Sequence, residues 1–101
     1  MEEVKKIFID SGDSISYILN KVFDASQKEL VLFFPEGSAF FEDATNLEVL
    51  KKQAELLDKK IHIVTSDPRG IEISRLLGLP FQLPDEYERK SKERSQEETA
   101  K

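Results

Sequence analysis

The five residues Leu30-Val31-Leu32-Phe33-Phe34 (LVLFF) form the most apolar stretch of the chain, and they decide its fold. A short unbroken apolar run is typical of a β-strand that is covered on both faces, and Pro35 ends it. Less apolar stretches of the same length lie on either side, at residues 5–9 (KKIFI) and 61–65 (IHIVT). The sequence therefore predicts three strands, with LVLFF inside the sheet.

The segments between these strands have the apolar spacing of helices. The clearest series runs from Ile15 to Phe23 at intervals of three and four residues, and Asp13 or Ser14 can cap its start. Thr45 and Glu48 have the spacing of a capping box before a second helix. Connections of this length favour parallel strands joined by right-handed crossovers.

A third helix is expected to begin at Asp67-Pro68 and to end at Gly78, before a short edge strand at residues 81–83. The order β-α-β-α-β-α-β predicts an α/β fold. We expect a small three-layer unit, Rossmann-like or flavodoxin-like, with a mainly parallel sheet of three to four strands. An interior LVLFF strand favours the strand order 3-2-1-4 over 2-1-3-4.

The composition changes at Pro84. From Asp85 to Lys101, 11 of 17 residues are charged, too many for a packed core. We therefore expect residues 1–84 to form one domain, and residues 85–101 to form a charged tail that is disordered or a solvated helix.

Charge and residue usage exclude several classes of protein. The chain has 101 residues, a net charge of −5 and no cysteine. The negative charge disfavours nucleic-acid binding, and no apolar run is long enough for membrane insertion. Without cysteine there is no disulfide, thiolate metal site or cysteine nucleophile, which suits a cytoplasmic protein.

Ligands of open parallel sheets bind beyond the carboxyl ends of the strands, where the strand order reverses. Carboxylates, hydroxyls and an arginine follow the first and third strands, and they could hold a small ligand or a Mg²⁺-nucleotide. The same residue types also make ordinary turns and helix caps, and that interpretation is favoured. The candidate ligand-binding residues are Asp10, Ser11, Gly12, Asp13, Ser66, Asp67 and Arg69.

Phe40 and Phe41 lie in the long loop between Phe34 and Thr45. Two adjacent phenylalanines cannot point the same way, so we expect one in the core and the other exposed to a partner. The alternative is that both anchor the loop or begin a helical turn.

No complete catalytic constellation is present. Gly12 stands alone without the rest of a dinucleotide fingerprint, and Ser38 lacks the surroundings of a nucleophile elbow. His62 is the only histidine, and it lies in the middle of a predicted strand, where a structural role is the favoured interpretation. Neither a metal site nor a cofactor is therefore predicted. The leading hypothesis is a non-enzymatic binding or assembly module that contacts a protein partner, or a second copy, through the strand-end loops.

Three stretches of the chain are similar to an uncharacterised bacterial domain: residues 30–38 (LVLFFPEGS), 46–57 (NLEVLKKQAELL) and 59–70 (KKIHIVTSDPRG), with the following 71–79. That domain opens larger proteins, many of them membrane-associated. The resemblance implies a Rossmann-like fold over residues 1–84 and no particular reaction.

Overall fold

A computed structural model describes residues 4–90 as a four-stranded sheet with helices. The strands are β1 (Val4–Phe8), β2 (Glu29–Phe34), β3 (Lys60–Thr65) and β4 (Phe81–Gln82). The α-helices between them are α1 (Ile15–Asp24), α2 (Ala44–Leu56) and α3 (Pro68–Leu77). A 3₁₀ helix, Ala39–Glu42, precedes α2, and residues 84–90 are helical.

The four strands are parallel, and they lie in the order β1-β2-β3-β4. The α/β class, the parallel sheet and the interior position of LVLFF are thus confirmed. The favoured order 3-2-1-4 was wrong, and so was the alternative 2-1-3-4. Each strand is instead added beside the preceding one, so the sheet grows in one direction only.

This strand order decides where the helices lie. Successive right-handed crossovers that all step in the same direction place their helices on the same side of a sheet. One core cluster accordingly joins Ile7, Leu32 and Ile63 of the sheet to residues of α1 and α2, and α3 packs against it through Ile73 and Leu77. We call this side of the sheet the helical face.

The other side of the sheet, which we call the open face, carries the alternate residues of the strands. Its only helical cover among residues 4–90 is the segment 84–90, in place of the full second layer that a three-layer unit has. The Tyr87 ring of this segment packs edge-on against Phe33. The predicted tail therefore begins with a helical turn in contact with the sheet, while residues 91–101 lie outside the described residues.

Most helix ends follow the sequence signals. Ser14 caps α1, Asp67 caps α3, and Gly78 ends α3 in the left-handed conformation with φ of 73°. The start of α2 differs, because Asp43 rather than Thr45 is its cap. Within the part of the chain that the structure describes, no helix has the length and apolar character needed to cross a membrane.

Candidate functional site

The carboxyl ends of the strands bring together the three segments expected there. The Ala39 N–H donates to the Ser11 carbonyl at 2.8 Å, so the loop after β2 contacts the turn after β1. The Gly37 N–H donates to Oδ2 of Asp67 at 2.8 Å, so the same loop contacts the start of α3. However, the sequential strand order has no reversal, and the crevice that a reversal opens is absent from residues 4–90.

Asp67 is buried and holds this edge together. Its Oδ1 accepts the Arg69 N–H at 2.9 Å, its Oδ2 accepts the Gly37 N–H, and its own N–H donates to Thr65 Oγ1 at 3.1 Å. Burial raises the pKa of Asp67, but these N–H donors and the nearby Arg69 guanidinium outweigh it, so the pKa lies below the ordinary value of 3.8. The carboxylate is therefore ionised and already occupied by hydrogen bonds of its own chain.

The residues after β1 form a closed turn. The Asp10 N–H donates to Oδ2 of Asp13 at 2.8 Å, and the Asp13 N–H donates to the Asp10 carbonyl at 3.1 Å. Ser11 contributes its carbonyl to the contact with Ala39, and Gly12 has open space around it. These contacts are those of a turn that leads into the cap of α1.

The other two candidates, near the start of α3, are exposed to solvent. Ser66 is exposed, and the Arg69 side chain is half exposed with its Nε 3.8 Å from Oδ1 of Asp67. Among residues 4–90 no three acidic or histidine side chains come together as a metal site would require. A role of these residues in binding a small ligand stays a prediction.

Phe40 and Phe41 are both buried, with exposed fractions of 1% and 2%. Their rings pack against Phe34, with centroid distances of 5.1 Å and 4.7 Å. The expectation that one of them is exposed to a partner was therefore wrong, and the alternative, in which both anchor the loop or begin a helical turn, describes the structure. The rings of Phe40 and Phe41 point in different directions from the 3₁₀ helix. Both are nevertheless buried, because α2 and α3 pack over this loop.

Phe41 also explains the glycine in the first turn of α3. A Cβ atom at Gly70 would lie 2.5 Å from Cε2 of Phe41, which is shorter than any ordinary contact. The glycine therefore lets the ring of Phe41 approach the backbone of α3.

The exposed aromatic ring of the strands lies on the open face instead. Phe8 is 70% exposed, and its ring stacks on Phe33 with a centroid distance of 4.6 Å and an interplanar angle of 16°. Val4, on the same face of β1, is also exposed. Val31, in the middle of β2, is covered. The open face is therefore covered towards β3 and exposed along β1.

A groove of about 420 Å³ runs beside Tyr87 on this face. It lies at the amino ends of the strands, with Val4 and Val31 among its lining residues. Tyr87 stands between this groove and the Phe8–Phe33 pair, since its ring also contacts Phe33. The groove and the aromatic pair thus lie on either side of one tyrosine ring.

Charged side chains of both signs lie on the open face. Lys60 and Lys90 line the groove, and Nζ of Lys6 lies 5.5 Å from the centre of the Tyr87 ring. Glu29 is the one carboxylate among the described residues that line the groove. The segment 84–90 adds the exposed residues Asp85, Glu86, Glu88 and Arg89, so the charge of this face is mixed.

His62 also lines the groove, on the opposite side of β3 from Ile61 and Ile63, as predicted. Burial lowers the pKa of His62, the Gln82 side chain opposes this shift, and the charge of Lys90 adds to it. Its Nε2 is buried without a hydrogen-bond partner. The imidazole is therefore neutral at pH 7 and adds no charge to the lysines.

Sequence reasoning missed the open face, although a signal for it was present. Lys6, Lys60 and His62 occupy alternate positions of two strands, whereas a face buried under helices is apolar at such positions. Once the strands are paired in register, these residues fall on one side of the sheet. Polar residues at those positions indicate a face that no complete layer of helices covers.

Neither a scan against protein-family models nor searches of the curated proteins and of the solved structures find a match to this chain. The resemblance to a bacterial amino-terminal domain stays a prediction. The structure bears out its coarser implication, a small α/β domain with a parallel sheet.

Proposed function

We propose that this domain is a non-enzymatic binding or assembly module whose partner docks on the open face of the sheet. The observation that carries the proposal is the exposed Phe8 ring stacked on Phe33, on a face that only the segment 84–90 covers among the described residues.

The physical argument starts from the sheet. All-parallel sheets occur almost entirely in proteins that cover both of their faces, because their strands are apolar on both sides. Exposed aromatic side chains rimmed by charge are typical of protein interaction sites. A face with both properties is expected to be completed by another chain or by another part of a larger protein.

The strand-end loops are less suitable for this role than the sequence suggested. Their two phenylalanines are in the core, and the Asp67 carboxylate is engaged by Gly37 and Arg69. The proposal therefore keeps the binding function expected from the sequence but moves its surface from the loops to the sheet. No reaction is proposed.

The test compares two single variants for binding to peptides selected from a random displayed library with the whole chain as bait. Phe8→Ser changes the open face, and Leu76→Ser changes a similarly exposed apolar residue of α3, whose exposed fraction is 79%. Phe8→Ser is expected to raise the dissociation constants of the selected peptides roughly tenfold or more, because buried aromatic anchors dominate interfaces.

Leu76→Ser is expected to leave binding unchanged, and both variants are expected to retain cooperative unfolding. A selection that enriches no peptide would contradict the proposal. Peptides that bind Phe8→Ser as tightly as the unchanged chain would also contradict it.

A further inference from the structure

The segment 84–90 is attached to the open face mainly through one side chain. Tyr87 is its only residue that is not exposed, and the Tyr87 ring packs edge-on against Phe33 with a centroid distance of 5.3 Å. A helix as short as this one is not stable alone in water, so its order depends on that packing. The segment is therefore expected to open locally far more readily than the domain unfolds.

His62 lies on the sheet beside the same tyrosine. The two rings meet at an interplanar angle of 61°, with their centroids 6.4 Å apart. Nε2 of His62 is buried and has no hydrogen-bond partner among residues 4–90. A protonated imidazole donates from both of its ring nitrogens, and Nε2 would have no acceptor while Tyr87 is packed there. The packed arrangement therefore favours a neutral His62.

The charged groups around His62 have both signs. Lys60 of β3 and Lys90 of the segment line the groove beside it. Glu29 of β2 lines the same groove, and it is the register partner of Lys60. A proton on His62 would thus add positive charge beside two lysines and one carboxylate. The other charged residues on this side are all exposed: Lys6 of β1, and Asp85, Glu86, Glu88 and Arg89 of the segment.

The protonation of His62 is thereby linked to the packing of the segment. Burial lowers the pKa of His62 below its ordinary value of 6.5, the Gln82 side chain opposes this shift, and the charge of Lys90 adds to it. Release of the segment takes Lys90 away and uncovers the ring on the side of Tyr87, which brings the pKa closer to 6.5. Because the packed state has the lower pKa, its packing is fully favoured above pH 6.5 and weakens as the pH falls through that lower pKa.

We propose that the segment 84–90 is a releasable cover of the open face, which Tyr87 holds in place while His62 is neutral and which is released when His62 takes up a proton. Release exposes Phe33 and the groove, and so enlarges the apolar surface next to Phe8. The device involves only residues of this chain, so it can be tested without a partner and independently of the proposed function.

The chain allows a direct test, because His62 is its only histidine and Tyr87 is one of only two tyrosines. Proton NMR of the whole chain, from about pH 8 to about pH 5, follows both rings across the ordinary pKa of histidine. The pKa of His62 is expected below 6.5. The Tyr87 ring signals are expected to lose the shift that Phe33 causes, with the same midpoint as the His62 titration.

Variants at position 87 separate the ring from the rest of the chain. Tyr87→Ala is expected to bring the pKa of His62 closer to 6.5, because the released state then predominates at every pH. Tyr87→Phe keeps the ring and is expected to keep the lowered pKa. The matched control is Tyr17→Ala, which removes the other tyrosine, an exposed residue of α1 on the helical face. It is expected to leave the pKa of His62 unchanged.

A variant of the histidine tests the linkage from the other side. In His62→Gln the Tyr87 ring signals are expected to stay constant over the same pH range. An equal pKa of His62 in the unchanged chain and in Tyr87→Ala would overturn the inference, and so would Tyr87 signals that do not change as His62 titrates. Neither result bears on the proposed function, which is decided by whether the selected peptides depend on Phe8.

Discussion

The sequence predicted that Asp67 caps a helix, but it did not predict that the same carboxylate holds the loop after β2. The Asp-Pro pair marks the start of a helix in any sequence, and the cap is where the sequence placed it. The second hydrogen bond of its carboxylate reaches Gly37, 30 residues earlier in the chain. Such a contact depends on the arrangement of two strand ends, which no local signal contains.

Replacing Asp67 by alanine is expected to destabilise the domain by about 2–4 kcal/mol. The estimate combines a lost helix cap with a Gly37 N–H left without its partner. Chemical denaturation monitored by circular dichroism measures it. Asp43→Ala is the matched control, because Asp43 is exposed and its cap bond goes only to Thr45, so about 1 kcal/mol is expected there.

The same variant has a consequence for acid stability. Because the pKa of Asp67 in the folded chain lies below its ordinary value of 3.8, its contribution is present above pH 3.8 and is lost as the pH falls through the folded pKa. Asp67→Ala is therefore expected to show a shallower loss of stability on acidification. An equally steep loss in both chains would contradict the role assigned to the carboxylate.

The elements themselves follow from the sequence, and their contacts follow only in part. Period and cap signals located the three main strands and the three α-helices because hydrogen bonding and amphipathicity are local properties. The 3₁₀ helix Ala39–Glu42 was expected as a loop, with the start of a helical turn as one alternative. Its two phenylalanines are buried because α2 and α3 pack over it, and this packing involves residues far apart in sequence.

The contact between α3 and the 3₁₀ helix gives a prediction at the scale of elements. In Gly70→Ala the new methyl group would collide with the Phe41 ring, at a cost of about 1–3 kcal/mol. That cost opposes the gain of about 1 kcal/mol that alanine usually brings to a helix, so a net destabilisation of up to about 2 kcal/mol is expected. Thermal unfolding measures the result.

Gly12→Ala is the control for this prediction, since a Cβ at Gly12 meets no atom within 4 Å. It is expected to be neutral or slightly stabilising. A Gly70→Ala chain about 1 kcal/mol more stable than the unchanged chain would show that Phe41 does not lie against α3 in this way.

At the scale of the whole molecule, the strand order is what the sequence left open. An apolar run such as LVLFF indicates an interior strand, and β2 is interior. The run does not indicate which strands lie on its two sides. The choice depends on which way the chain turns after each helix, and the turn residues do not encode that direction. Once the order is known, the single layer of α1–α3 and the open face follow from the handedness of the crossovers.

The location of the candidate site also depends on the strand order. A sheet that reverses direction has a crevice at its strand ends, and the residues after β1 and β3 were interpreted on that basis. A sheet that grows in one direction has an uncovered face instead. The proposed binding surface therefore moves from the residues around Asp10 and Asp67 to those around Phe8 and Tyr87.

The most direct measurement is the rate at which a thiol reagent labels a single cysteine at position 8, in a chain that has no other cysteine. Phe8→Cys is expected to react nearly as fast in the folded chain as in the unfolded one, and to be protected when a selected peptide is bound. Ile7→Cys, its neighbour on the helical face, is expected to react far more slowly throughout. Slow labelling at position 8 without any peptide, as a β1 strand covered on both faces would give, would contradict the open face. A rate unchanged by the peptide would contradict its role in binding.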